Sequence, residues 1–183
     1  MLATPNPLAL GDSLSFHKLS LEDWDKMKKL FIDLEACSKC KDCTVSCSYF
    51  YHADNNGVNN LRELAHFALI CRHCEEAPCV KVCPQEALEK QKDGVLKRYN
   101  MRCIGCNSCV VACPFGTIYP EVIPYLVSSC DYCLDRADGK PPLCVEDCPE
   151  KAIRYEEIEE DPEKNYFAVG KNLIVHYIPW ERD

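Results

Sequence analysis

Cys103 to Pro114 reads C-I-G-C-N-S-C-V-V-A-C-P: four cysteines, three of them at three-residue steps, with a proline straight after the last. Thiols at three-residue steps wrap one corner of a compact body that offers several separate metal atoms, each wanting one thiolate. A single ion has no use for such a wrap. The spacing is that of C-x2-C-x2-C-x3-C-P, which ligates [4Fe-4S] cubanes and sends its fourth cysteine to a neighbouring cluster. From Cys109 to Cys113 a helical turn advances the backbone by roughly 6 Å, which favours handing the last thiolate to a second site. Gly105 lets the loop backbone approach the inorganic sulfides, and Pro114 turns the chain after the last ligand.

Three further runs share this grammar. The first is Cys37-x2-Cys40-x2-Cys43-x3-Cys47, without the proline. The second, Cys71-x2-Cys74-x4-Cys79-x3-Cys83, is followed by Pro84 and has a longer middle gap, Glu75 to Pro78. The fourth, Cys130-x2-Cys133-x10-Cys144-x3-Cys148, is followed by Pro149, with Asp138, Gly139, Pro141 and Pro142 in the loop between its second and third ligands. These runs use all 16 cysteines. Pro84-Gln-Glu-Ala-Leu88, Pro114-Phe-Gly-Thr-Ile118 and Pro149-Glu-Lys-Ala-Ile153 each resemble the continuation that follows a ferredoxin cysteine run, so a ferredoxin unit is read as duplicated.

Disulfides and zinc compete for the same thiols. Cysteine at roughly 9% of a short secreted protein would suggest a disulfide scaffold. The start of the sequence, however, has no basic segment, long apolar run or twin arginine, which points to a reducing, cytoplasmic compartment and away from disulfides. Four zinc sites would need eight C-x2-C pairs or their equivalents, whereas the ligands come as three plus one, four times over. The net charge of −8 assumes neutral cysteines. Each [4Fe-4S] site with four thiolates adds about −2, so four bring the total near −16, which disfavours nucleic acid or an anionic membrane surface as partner. Leu173 to Trp180, interrupted by His176 and Pro179, is too short to cross a bilayer.

The rest of the sequence supplies scaffold. Residues 1–19 read as an extended arm, and Ser20 to Asp23 with Trp24, Met27 and Leu30 as a capped amphipathic helix. Leu30 to Leu34 reads as a strand entering the first run, and Leu61 to Ile70 as a helix between runs one and two whose role is packing. Asp93-Gly94 is a two-residue hairpin signal, Glu156 to Asp161 a solvated acidic loop, and Tyr166 to Ile178 a hairpin turning at Gly170. His52 and His73 are expected as polar neighbours of the clusters or surface groups, and Tyr49, Phe115 and Tyr132 as shields against water or ordinary packing. No phosphate loop, Ser/His/Asp set or isolated reactive thiol is visible, so the protein is not expected to be an enzyme by itself.

Four runs in this order, with an enlarged gap in the second and a long insertion in the fourth, resemble the four-cluster iron-sulfur subunits of the dimethyl sulfoxide reductase and formate dehydrogenase type. The resemblance covers about residues 30–155. It implies an α+β fold of two fused bacterial-ferredoxin-like (βαβ repeat) units within residues 30–155. The outer unit comes from runs 37–47 and 130–148, the inserted unit from runs 71–83 and 103–113. An N-terminal arm and short helix (1–29) and a C-terminal extension (156–183) flank them. It also implies four [4Fe-4S] clusters: one on Cys37, Cys40, Cys43 and Cys148, and one on Cys130, Cys133, Cys144 and Cys47. A third sits on Cys71, Cys74, Cys79 and Cys113, and a fourth on Cys103, Cys106, Cys109 and Cys83.

Function follows the same resemblance: an electron wire between a large catalytic subunit, molybdenum- or tungsten-pterin dependent, and a second redox partner such as another electron-transfer subunit. The Cys37 cluster would face the catalytic subunit and the Cys103 cluster the distal end. A free soluble polyferredoxin is the alternative, and a zinc-stabilised interaction module a third reading from another class.

Overall fold

A computed structural model describes residues 28–41, 43–47, 56–125, 129–133 and 140–179. The expected arm at 1–19, the expected amphipathic helix as far as Met27, Tyr49, His52, Asp138 and Gly139 lie outside the described residues, and Leu30, the last residue of that helix's stripe, lies in a strand instead.

The first element among the described residues is strand β1 (Lys29–Asp33), whose Leu30, Phe31 and Ile32 are all buried. Three consecutive buried residues require both faces of the strand to be covered. Leu30 and Ile32 point into a core with Val58, Leu61 and Val175. On the other face, the Phe31 ring meets the Tyr166 ring edge-on at 5.1 Å, and the Arg154 guanidinium lies 4.0 Å from its centroid. The strand stops one residue before the expected Leu34, because the Asp33 carboxylate accepts a hydrogen bond from Ala36 N at 2.9 Å. That cap starts the short helix α1 (Leu34–Cys37), which delivers the first cysteine.

Helix α2 (Asn56–Ala65) runs on into a π-helical turn, His66–Ile70, before the second cysteine run. Its residues Val58, Leu61 and Ala65 belong to the first core, while Phe67 in the π turn belongs to a second core with Leu88, Leu96, Ile118, Val122 and Ile123. One element thus passes from one core to the other. The sequence suggests an apolar stripe of Leu61, Leu64, Ala65, Ala68 and Leu69 with a packing role; the face that is buried also carries Asn60, Glu63 and His66.

Short helices α3 (Pro78–Lys81), α4 (Ser108–Ala112) and α5 (Leu143–Glu146) hold the third cysteine of runs two, three and four. Residues 43–47 of run one form no helix. Between α3 and α4, β2 (Leu88–Lys90) and β3 (Leu96–Arg98) pair antiparallel. Their loop differs from the two-residue turn expected at Asp93-Gly94. Gln91 N donates to Val95 O at 2.9 Å and Gly94 N to Gln91 O at 2.9 Å, leaving three residues in the loop with Gly94 at φ +87°.

The larger sheet has the order β4-β1-β6-β5, with β4 (Ile153–Glu156) antiparallel to β1. Strands β5 (Tyr166–Ala168) and β6 (Leu173–His176) form a hairpin with Gly170 in its turn at φ +74°. β6 lies parallel to β1, so this hairpin is built into the sheet, and Leu173 and Val175 complete the first core.

The repeat seen in the sequence is written into the backbone. In runs two, three and four, the third residue after the last cysteine is Glu86, Gly116 or Lys151, and all three have positive φ. Each donates its N–H to the carbonyl of that cysteine, at 3.2, 3.3 and 3.1 Å. The second residue between the first two cysteines is His73, Gly105 or Tyr132, again with positive φ throughout. αL positions shared by three runs, with two unlike non-glycine residues at each, mark a loop conformation common to the runs.

Candidate metal centres

All sixteen cysteines are described and none is joined in a disulfide. They lie in groups drawn from more than one run. Cys71, Cys74 and Cys79 line one cavity together with Cys113 of the third run, in a space of about 340 Å3 walled by Ala77, Leu96 and Ile118. Cys103, Cys106 and Cys109 line a second, of about 410 Å3, with Cys83 of the second run. Cys37, Cys40 and Cys43 share a wider one, of about 880 Å3, with Cys148 of the fourth. Cys130, Cys133 and Cys144 keep company with Cys47: an added Cβ at Gly57 would sit 3.4 Å from the Cys47 sulfur and 3.9 Å from that of Cys130.

Electrostatics sorts the thiols the same way. Burial pushes Cys144 up to about 12, helped by Cys130, Cys133 and Cys47. Burial also pushes Cys130 up to about 12 and Cys79 up to about 11, the latter with Cys71 and Cys113 adding to it. Thiols that oppose one another's ionisation inside a core are suited to a cationic body that takes them all as thiolates. Among the described residues, no three His, Cys, Asp or Glu side chains converge closely enough to hold a single metal ion. Four sulfurs around a shared cavity fit a cubane of separate irons; zinc needs its sulfurs about 2.3 Å from one point.

Hydrogen bonds reach several sulfurs. Ala87 N donates to Cys83 Sγ at 3.2 Å and Tyr132 N to Cys130 Sγ at 3.4 Å. Thr117 Oγ1 lies 3.5 Å from Cys113 Sγ and Ser108 Oγ 3.4 Å from Cys106 Sγ, where it holds the exposed Cys106 thiol below its ordinary pKa. Such bonds favour the charged thiolate and tune a cluster's potential. His73 lines the cavity of Cys71, Cys74 and Cys79 and pairs through Nε2 with the Phe67 carbonyl at 2.7 Å. Tyr132 packs against the first core, whereas Phe115 is exposed.

Polar residues of α2 and its π turn, which the apolar stripe expected over Leu61 to Ile70 does not include, reach three of these groups. Asn60 Oδ1 accepts from Cys130 N at 2.8 Å. Glu63 accepts from Arg98 Nε at 2.9 Å and also from Nη2, and Arg98 Nη1 donates to Cys103 Sγ at 3.4 Å. His66 Nε2 donates to the Thr117 carbonyl, beside Cys113. The available signal was the polar spacing Asn60, Glu63, His66 on one helical face. The Glu63 and Arg98 side chains are 2% and 1% exposed. Burial raises the Glu63 pKa while the bonds from Arg98 oppose it. A guanidinium keeps its proton in proteins and here donates two prongs of its fork, so the pair is ionic.

Residues 62–158 match the family described as 4Fe-4S dicluster domain. The sequence is 36% identical over 150 residues to the B subunit of anaerobic dimethyl sulfoxide reductase from Escherichia coli (strain K12), covering 71% of this protein and 73% of that one. It is 33% identical over 143 residues to thiosulfate reductase electron transfer subunit PhsB of Salmonella typhi, covering 70% and 74%. It is 32% identical over 161 residues to the ferredoxin-like protein YdhX of Escherichia coli O157:H7, covering 80% and 72%. Among the described residues, no helix is long and apolar enough to cross a membrane.

Proposed function

This protein belongs to the 4Fe-4S dicluster domain family of iron-sulfur electron-transfer proteins, and from that premise we propose that it carries four [4Fe-4S] clusters as a wire serving a catalytic oxidoreductase subunit. The observation that supports this reading is where the fourth cysteines lie. Cys148 lines a cavity with Cys37, Cys40 and Cys43, Cys113 one with Cys71, Cys74 and Cys79, and Cys83 one with Cys103, Cys106 and Cys109, while the Cys47 and Cys130 sulfurs both lie near Gly57. The ligand sets are then Cys37, Cys40, Cys43 and Cys148; Cys47, Cys130, Cys133 and Cys144; Cys71, Cys74, Cys79 and Cys113; and Cys83, Cys103, Cys106 and Cys109. Two ferredoxin-like units follow, an outer one around the first core and an inserted one around the second.

A bound cubane supplies reversible one-electron redox chemistry, and the protein supplies the rest. Its thiolates fix the sites, its cores keep water away from buried Cys79, Cys133 and Cys148, and its N–H and hydroxyl donors bias the charge each site holds. The relatives named as subunits of dimethyl sulfoxide and thiosulfate reductases support a pterin-dependent catalytic partner. Anaerobic purification of the tagged protein from its own cells tests both halves. The expected result is about sixteen irons per molecule and a large subunit at fixed stoichiometry. An iron-loaded, active monomer without that subunit would leave a free polyferredoxin as the reading, and iron far below sixteen would overturn the four-cluster assignment.

A further inference from the structure

The Arg98–Glu63 pair does something the wire reading leaves unexplained. Arg98 is on β3 in the second unit; Glu63 is on α2, whose apolar residues pack in the first core. With both side chains almost fully buried, water screens neither charge. One prong of the guanidinium fork is turned from the carboxylate to Cys103 Sγ, 3.4 Å away. Other bonds to cysteine sulfur, such as those from Ala87 N–H to Cys83 and Tyr132 N–H to Cys130, come from neutral donors.

We propose that Arg98 sets the reduction potential of the site formed by Cys83, Cys103, Cys106 and Cys109, and that Glu63 is its counterweight, holding the potential below the value a lone buried arginine would impose. The proposal rests on the ligand assignment above. Reduction adds one electron, and so one negative charge, to that site, with no bond made or broken and no proton moved. A cation bonded to one of its thiolates stabilises the added charge, so Arg98 raises the potential. Glu63 binds the far prongs of the fork and subtracts from that effect without cancelling it, because its carboxylate is farther from the sulfur than the guanidinium is. The pair is a dipole with its positive end toward Cys103. Both residues are positioning residues, and neither is a ligand.

The test is an anaerobic potentiometric titration of the purified holoprotein followed by electron paramagnetic resonance, with the site's signal identified as the one missing from Cys103→Ala. Arg98→Met should lower that midpoint by at least a tenfold change in the reduction equilibrium, 59 mV for one electron, and leave the other three in place. Glu63→Gln should raise it. Opposite shifts from the two halves of one ion pair are a signature that a structural role would not give. Breaking a buried pair from one side is destabilising, so the double variant Arg98→Met/Glu63→Gln stands beside the single ones. It should load fully and titrate below the wild-type value. An iron-loaded double variant with an unchanged midpoint overturns the proposal, as do single variants that shift the same way. If Cys103→Ala keeps all its iron and every signal, the ligand assignment fails instead.

Discussion

His73, Gly105 and Tyr132 take the same left-handed backbone in three different runs, a conformation that costs a non-glycine residue about 1 kcal/mol. Where two bulky side chains accept that cost, the loop shape is dictated by what it surrounds. The proposed exchange of fourth cysteines has a direct consequence at this scale. Cys47→Ala should weaken the site of Cys130, Cys133 and Cys144 rather than that of its own run, read as loss of one resonance signal and up to about four irons. The raised thiols predict how iron-free protein behaves. Cys79, Cys130 and Cys144 stay protonated when folded without metal, so cluster assembly in weakly buffered solution should acidify it. Their folded pKa values exceed the unfolded one, so the stability they lend is present below the ordinary thiol value of 9.0 and lost as pH rises through about 12. Alkaline titration of the metal-free protein, followed by circular dichroism, should show that loss.

Among the elements, α2 is the one whose sequence was least informative and whose structure says most. Its apolar positions announced a helix and its packing, yet Asn60, Glu63 and His66 became meaningful only once folding brought Cys130, Arg98 and Thr117 to them from 70, 35 and 51 residues away. Periodicity registers which face is apolar; it carries no record of distant partners. The cysteine runs were legible for the opposite reason, since ligand geometry is local to each run. Where the reading slipped, local bonds decided: Asp33 ended β1 by capping α1, and the bond from Gln91 to Val95 gave the β2–β3 loop a third residue. Asp33→Ala should cost about 1 kcal/mol and lower the melting temperature, since the cap to Ala36 and the 3.0 Å contact with His176 Nδ1 are both lost. Gly57→Val should reduce iron content, because its added methyls would extend past a Cβ already 3.4 Å from the Cys47 sulfur.

For the molecule as a whole, two cores share the segment of α2 and its π turn, and each is edged by cysteines. Cys148 and Cys79 are themselves core residues, and each lines a cavity with three other cysteines. Removing iron with a chelator under reducing conditions should therefore broaden side-chain signals and lower the unfolding free energy by several kcal/mol, read by near-ultraviolet circular dichroism and denaturant titration. Retention of a sharp transition at the original midpoint would show that the metal contributes little to folding.

The parallel pairing of β6 with β1 bears on how such a protein is made. All of the second core is drawn from residues 67–123, whereas the first waits for Leu173 and Val175 to slide in beside Leu30 and Ile32. A nascent polypeptide leaving the ribosome thus presents the residues of the second core before the strand that closes the first, so the inner unit can form while the outer one is still open.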